Sequence, residues 1–372
     1  MLMKLEKDRL QARVDNLEMT LHQQSQSEDA KSAGGETKVS QKPAKKEKHV
    51  FKPTGIPSEM PKQNRPNPYL SEQFEPAGTH LTCQKTFKGH LMGVTCVSYN
   101  PKKDILATGS DDTTWKLWSV PSGDLIMSGE GHLDWIGGLE FHPRGNLLAT
   151  ASGDGTVKLW DFVSASCAQT FAEHGQPVWK VAFHDTGDFL LSCSMDHSVK
   201  LWDMNLKKSR FTFRGHVDSV NSVSWGPYSN RFVSGSGDKT VSLWDMRVSS
   251  CVQTFYGHNN SVNSSKFDFQ GDRIVSADSD GITKVWDIRM VKQLFSFDSG
   301  LNSANCALFD RSGQSVFVAS EDSTIKVFSC QSGEKEAELK GHEDAVLELS
   351  WDNQKEQGYL VSAGADCSFR MW

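Results

Sequence analysis

Gly131-His132-Leu133-Asp134-Trp135-Ile136 opens one stretch of this chain, and Gly153-Asp154-Gly155-Thr156-Val157-Lys158-Leu159-Trp160-Asp161 closes it. Both ends recur. Gly-His returns at Gly89-His90, Gly215-His216, Gly257-His258 and Gly341-His342, always 42 residues or a multiple of 42 from the next. Glu173-His174 and Ser299-Gly300 fill the two missing steps. The closing aromatic forms a second series, Trp118, Trp160, Trp202, Trp244, Trp286, Phe328 and Trp372. An aspartate stands six residues before each of these, at Asp112, Asp154, Asp196, Asp238, Asp280, Asp322 and Asp366. The chain therefore carries seven copies of one unit.

A period of about 40–45 residues with a Gly-His start and a Trp-Asp end is the signature of four-stranded propeller blades. Over residues 80–372 the chain resembles the WD-repeat family, which implies an all-β, seven-bladed propeller. Closure of that ring can be read from the outer strands. Segments such as Cys167-Ala168-Gln169-Thr170-Phe171 and Cys251-Val252-Gln253-Thr254-Phe255 follow a closing Trp, and Cys83-Gln84-Lys85-Thr86-Phe87 precedes the first repeat. The seventh repeat has no such segment after Trp372. Residues 81–87 are therefore expected to supply the outer strand of the last blade, removing two unpaired sheet edges.

Upstream, Met3, Leu10 and Leu17 lie seven apart, with Lys7, Val14 and Leu21 four residues after each. This is the seam of a short coiled coil over residues 1–24, able to dimerise or to bind a partner helix. Residues 25–79 hold seven of the 12 prolines among Ser, Lys, Gln and Gly. Such a composition is expected to form a disordered linker. Its run Lys42-Pro43-Ala44-Lys45-Lys46-Glu47-Lys48 suits nuclear import or contact with an acidic microtubule surface.

Residues 1–80 carry 13 Lys/Arg against 11 Asp/Glu, leaving 27 against 35 for the propeller. An acidic body argues against nucleic acid, whose phosphates require basic neutralisation. No apolar run approaches a membrane span, so no membrane role is expected. Eight cysteines without a CxxC pair read as reduced thiols of a cytoplasmic or nuclear protein.

Each repeat places a His, a hydroxyl, an Asp and a Trp at fixed offsets. The sets are His90, Thr108, Asp112 and Trp118; His132, Thr150, Asp154 and Trp160; His174, Ser192, Asp196 and Trp202. They continue with His216, Ser234, Asp238 and Trp244; His258, Ser276, Asp280 and Trp286; and His342, Ser362, Asp366 and Trp372. Ser-His-Asp invites a hydrolase reading. Repetition argues against it, because an enzyme needs one nucleophile rather than a copy in every blade. The WD-repeat resemblance implies instead a structural hydrogen-bonded tetrad. The sixth repeat has Gly300, Val318 and Phe328 at these positions and is expected to form a softer blade, with Asp322 still serving its turn. Neither a GxxxxGK[ST] phosphate loop nor an HExxH metal motif occurs, and no cofactor, metal or catalysis is expected.

Two tryptophans fit no series. Trp135 stands where other repeats carry Gly93, Ser219, Ser261 and Ala345. Trp179 stands where they carry Thr95, Gly137, Asn221 and Asn263. In the WD-repeat family these positions, and that of Met195, face the narrow top of the ring. The resemblance thus implies an apolar docking patch of Trp135, Trp179 and Met195, edged by Asp134 and His197.

The wording of individual repeats is more specific still. Gly89-His90-Leu91-Met92-Gly93-Val94, Gly109-Ser110-Asp111-Asp112-Thr113-Thr114-Trp115-Lys116-Leu117-Trp118 and Gly131-His132-Leu133-Asp134-Trp135-Ile136 resemble the sperm-associated antigen family of the flagellar central apparatus. That resemblance implies a non-enzymatic scaffold of the axonemal central pair, needed for ciliary and flagellar beating. It implies central-pair partners, an armadillo-repeat protein among them. With only three heptads before the linker, the chain has the layout of a short form, for which a nuclear role is also open. Two other classes stay open: a microtubule or dynein regulator of the coil-plus-propeller type, and the substrate receptor of a ubiquitin ligase.

Overall fold

The computed structural model describes residues 55–71, 74, 81–248, 250–351 and 358–372. The expected coil over 1–24 and the basic run at 42–48 lie outside these residues. Among the described residues, 28 strands make seven four-stranded antiparallel sheets, the blades of one ring. The second blade is representative, with Ile136–Phe141 innermost, then Leu147–Ser152, Val157–Asp161 and Ser166–Phe171 outward.

Strand composition follows position. Leu147–Ser152 and Phe189–Ser194 are buried along their whole length, because each blade is covered by a neighbour on both faces. Such strands read as continuous apolar or small-residue runs. Outer strands such as Lys292–Asp298 instead alternate, with every second residue facing solvent. The core lies between blades: Leu147, Ala149 and Leu159 of the second pack with Val178, Leu190 and Trp202 of the third. The innermost strands surround a central channel of about 450 Å³, crossed by a Lys180–Glu348 ion pair at 2.6 Å.

The ring closes as the repeats imply. Lys85–Lys88 pairs with Ser368–Met371 in the register Lys85↔Met371 to Lys88↔Ser368, and the Gln84 N–H donates to the Met371 carbonyl at 2.8 Å. Phe87 is buried there and stacks on Phe369 at 4.7 Å.

Six blades carry the His–hydroxyl–Trp network. In the second, the Trp160 Nε1–H donates to Thr150 Oγ1 at 2.9 Å, Thr150 Oγ1 lies 2.8 Å from His132 Nε2, and His132 Nδ1 lies 2.9 Å from Asp154 Oδ2. An indole can only donate, so one proton order satisfies every atom: Trp to hydroxyl, hydroxyl to Nε2, Nδ1–H to carboxylate. The same order runs through His90, Thr108, Asp112 and Trp118; His174, Ser192, Asp196 and Trp202; and His216, Ser234, Asp238 and Trp244. It also runs through His342, Ser362, Asp366 and Trp372. It requires neutral imidazoles, and burial pushes His90 and His342 below the ordinary histidine value. Burial alone would raise Asp112, but donors from Thr114, the Leu91 N–H and His90 outweigh it and bring the carboxyl down to about 2.

The fifth blade departs from the expected set. Asp280 does not meet His258; Asp278 does, at 2.7 Å, while His258 and Trp286 meet on Ser276 as elsewhere. Asp280 sits outside and accepts from Asn260 at 2.8 Å. Two replacements cause the switch. The hydroxyl that fixes the turn aspartate in other blades, such as Thr156 on Asp154 at 2.6 Å, is here Ile282. The strand-end serine of other blades, such as Ser152, is here Asp278, and its carboxylate takes the Asp280 and Ile282 N–H groups itself. In the sixth blade Asp322 does cap its turn through Thr324. Lys326 replaces the histidine there, bonding Asp322 and the Ser299 carbonyl, and Phe328 stacks on Phe297 at 4.9 Å.

One further expectation fails. Residues 55–71 and 74, assigned to a disordered linker, lie along the ring's underside, with Pro68–Ser71 forming a 3₁₀ turn. Composition could not reveal this, because the ring residues that hold the segment are distant in sequence, Asp203 lying 145 positions from Ser58 and Asn230 lying 169 from Pro61.

Because Asp278 takes the tetrad role, Asp278→Ala should lower unfolding free energy by about 2–4 kcal/mol, the cost of stranding several buried donors. Asp280→Ala should change it by less than about 0.5 kcal/mol, as surface substitutions do. Urea unfolding of the two variants decides, and equal losses would restore Asp280 to the network.

Candidate interaction surface

Antiparallel strands send alternate connections to opposite faces of the ring. The tight turns after the second strand, and the loops bearing the tetrad histidines, share the top. Every residue of the expected docking patch lies on these connections or at the strand end beside them.

Each innermost strand begins with a bulge that leaves one residue out of register, as between Val178 and Lys180. At that position Asn221, Asn263 and Asn305 reach the next blade's backbone, Asn221 bonding the Val262 carbonyl at 3.0 Å. Trp179 occupies it in the third blade, and its indole N–H donates to Ser219 Oγ at 3.1 Å. The ring is thereby held across the mouth, half-buried.

Its neighbour is seated on glycines. In the second blade the bulge residue is Gly137, and a Cβ there would stand 2.5 Å from the Trp135 ring. A Cβ on Gly153, in the turn below, would come within 2.6 Å of the same ring. With both absent, Trp135 lies down against Trp179, ring centroids 4.8 Å apart and planes 32° from parallel. Asp134 is exposed, and its carboxylate accepts the Trp135 N–H at 2.8 Å, fixing the loop. The structure thus brings Trp135 and Trp179 into one tilted aromatic pair, worth roughly 0.5–1.5 kcal/mol beyond area burial.

Met195 and His197 lie on the tight turn of the third blade. Met195 is 47% exposed, and its N–H bonds the carbonyl of Pro177, two residues before Trp179. His197 holds the left-handed position of the turn, with φ of 64°. Its ring turns away to the fourth blade, Nδ1 2.9 Å from the Val217 carbonyl. His197 is therefore an edge residue tied outward, and Asp134 is a cap for the loop.

One part of this face was missed by the comparison of repeats. In four of the tetrad blades the residue after the histidine gives its N–H to the turn aspartate, as Leu133 does to Asp154 at 3.1 Å and Val217 to Asp238 at 3.1 Å. That bond pulls the backbone inward and leaves the side chain outside. Leu91, Leu133 and Val217 are 89, 90 and 82% exposed, so Leu133 extends the apolar patch beside Trp135. The signal was present in the repeats, where this one position alternates between Leu or Val and Gly, Asn or Glu without a core role.

With fold and site in view, relatives can be placed. The family described as WD domain, G-beta repeat, matches residues 81–119, 123–161, 165–203, 207–245, 249–287 and 333–372. The three inner strands of the sixth blade, where Lys326 replaces the tetrad histidine, fall outside those spans. The chain is 52% identical over 67 residues to the flagellar WD repeat-containing protein Pf20 of Chlamydomonas reinhardtii, a stretch that is 18% of this chain and 11% of that protein. It is 36% identical over 75 residues to human sperm-associated antigen 16 protein, covering 19% of this chain and 12% of that one. A probable E3 ubiquitin ligase complex SCF subunit, sconB of Emericella nidulans, is 52% identical over 40 residues, 11% of this chain and 6% of that protein. The matched stretches thus span at most 12% of these relatives.

The glycine seat is testable. Gly137→Ala should push Trp135 off Trp179 at a stability cost of about 1–3 kcal/mol, the usual range for overpacking. Near-ultraviolet circular dichroism should lose the signal of the coupled indoles while far-ultraviolet strand content stays. An unchanged near-ultraviolet spectrum would mean the pair does not depend on Gly137.

Proposed function

Since the chain belongs to the WD40-repeat family, we propose that it is a non-enzymatic interaction scaffold of the axonemal central apparatus in cilia and flagella. The observation that carries a docking role is the Trp135–Trp179 pair, in tilted contact at 4.8 Å on a face that no fold requirement makes aromatic. Paired aromatics with apolar neighbours, here Leu133 and Met195, are the side chains that dominate protein interfaces. The ring supplies rigidity, and its hydroxyls and imidazoles are consumed in the tetrads, which leaves no nucleophile free in them for chemistry.

The axonemal assignment is supported by likeness to proteins named for the flagellum and for sperm. On this reading the partners are central-pair proteins, an armadillo-repeat protein among them, and microtubules are a second surface for the chain. Asp134 at the patch edge favours a partner with a basic residue at the rim.

Affinity capture from ciliated-cell extract tests this directly, using the chain and its Trp135→Ala/Trp179→Ala variant. Wild type should retain axonemal proteins, and the variant should bind them at least about 30-fold more weakly, the loss of ~2 kcal/mol expected for a hot spot. Equal retention by both would remove the patch. Retention of only ubiquitin-ligase or nuclear components would replace the axonemal reading.

A further inference from the structure

The underside carries a second surface, independent of the top patch. Gly55–Ser71 and Phe74 run along it in chain order from the third blade to the sixth, and they are held through their backbone. The Gly55 N–H donates to the Asn205 carbonyl at 3.1 Å, and the Arg65 N–H to the Tyr228 carbonyl at 3.0 Å. Side chains of the ring collect the strap's carbonyls: Arg210 takes Ser58, Asn230 takes Pro61 at 3.2 Å, and Arg247 takes Lys62 at 2.9 Å.

Two anchors bound this run. At the first, Asp203 is fully buried, and its two oxygens accept the Ser58 N–H at 2.7 Å and the Ser58 hydroxyl at 2.8 Å. Asn205 Nδ2 completes the seat by donating to Ser58 Oγ at 2.9 Å. At the second, Tyr69 packs on Phe269 at 4.8 Å, Phe74 meets the same ring edge-on at 5.7 Å, and the Arg311 guanidinium lies 4.1 Å over Phe74. Between them Met60 packs on the core of the third and fourth blades.

Three of the ring side chains that do this break the repeat, whereas Asp203 recurs as Asp161, Asp245 and Asp287, Asn230 as Asn146 and Arg247 as Arg289. Arg210 corresponds by the 42-residue period to Ile126, Ala168, Val252 and Leu294, and Arg311 to Pro101, Pro143, Asp185, Pro227 and Phe269. Tyr228 corresponds to Lys102, Arg144, Thr186, Gln270 and Ser312. They break the repeat only where the strap crosses. Backbone reading, pockets for alternate side chains and proline-preset extension together make the mode by which domains bind extended peptides.

We propose that the underside of blades three to six is a recognition groove for an extended, proline-punctuated peptide with a serine at one end and an aromatic pair at the other. Gly55–Ser71 and Phe74 of this chain are its resident occupant, bound in cis. As an intramolecular ligand the strap competes at millimolar effective concentration, so a free peptide enters only when the strap is weakened.

The test uses the full chain and a fluorescein-labelled synthetic peptide of residues 53–76, read by fluorescence anisotropy. The strap is weakened by Ser58→Asp with Tyr69→Ser and Phe74→Ser, and Ser58→Asp alone serves if the triple variant does not fold. Unchanged near-ultraviolet circular dichroism identifies a folded ring. The variant should bind the peptide about 100-fold more tightly than wild type, the ratio set by cis competition. Adding Arg311→Ala to the variant should weaken that binding at least tenfold. No binding to the folded variant, equal binding by variant and wild type, or indifference to Arg311→Ala would each overturn the proposal.

Discussion

A ring of sheets stands or falls with the pairing of its last edge. Four residues, Lys85–Lys88, turn a three-stranded final blade into a four-stranded one, and so convert a curved stack with two open edges into a closed body. Phe87 explains why so short a strand suffices. It enters the cluster of Phe369, Val361 and Trp118, which links the seventh blade to the first. Once the ring is closed no blade can splay without opening another seam, and side chains on its two faces keep fixed spacings.

Within that frame the tetrads do local work. Each ties a top loop to the tight turn beside it through its imidazole, and in four blades the residue after the histidine is bonded inward through its N–H and keeps its side chain outside. Burial that is needed for stability thereby produces exposure that serves binding. The Trp135–Trp179 pair is the place where this has been elaborated furthest, because Gly137 and Gly153 leave room for a ring to lie flat. The underside is used in the opposite sense: its special residues already have an occupant from the same chain.

The ring was legible because it repeats. Seven copies let the role of each position be inferred from the others, and this made the blades and the closure readable. The same comparison could have found Asp278, since Ile282 lacks the hydroxyl that Thr114, Thr156, Ser198 and Thr240 supply; position alone pointed to Asp280. It could also have found Leu91 and Leu133 on the top rim. Lys326 was harder, as a lysine at its position in other blades bonds the outer strand, as Lys158 does Thr170 and Lys200 does Thr212. The strap was not legible at all. Its prolines and polar residues describe a chain that cannot fold by itself, and local composition carries no record of Asp203, Asn230 or Arg311 waiting on the ring.

Ring closure is the claim on which both faces depend, and thermal unfolding of two truncations measures it. Chains beginning at residue 79 and at residue 89 both lack the strap and differ only by the segment that contains the closing strand. The account predicts one cooperative transition for the first, and for the second a transition lower by at least about 10 °C, in keeping with the loss of a buried phenylalanine and a strand pairing. Coincident transitions would mean that the last blade is complete without Lys85–Lys88, and that the ring is not held shut as described.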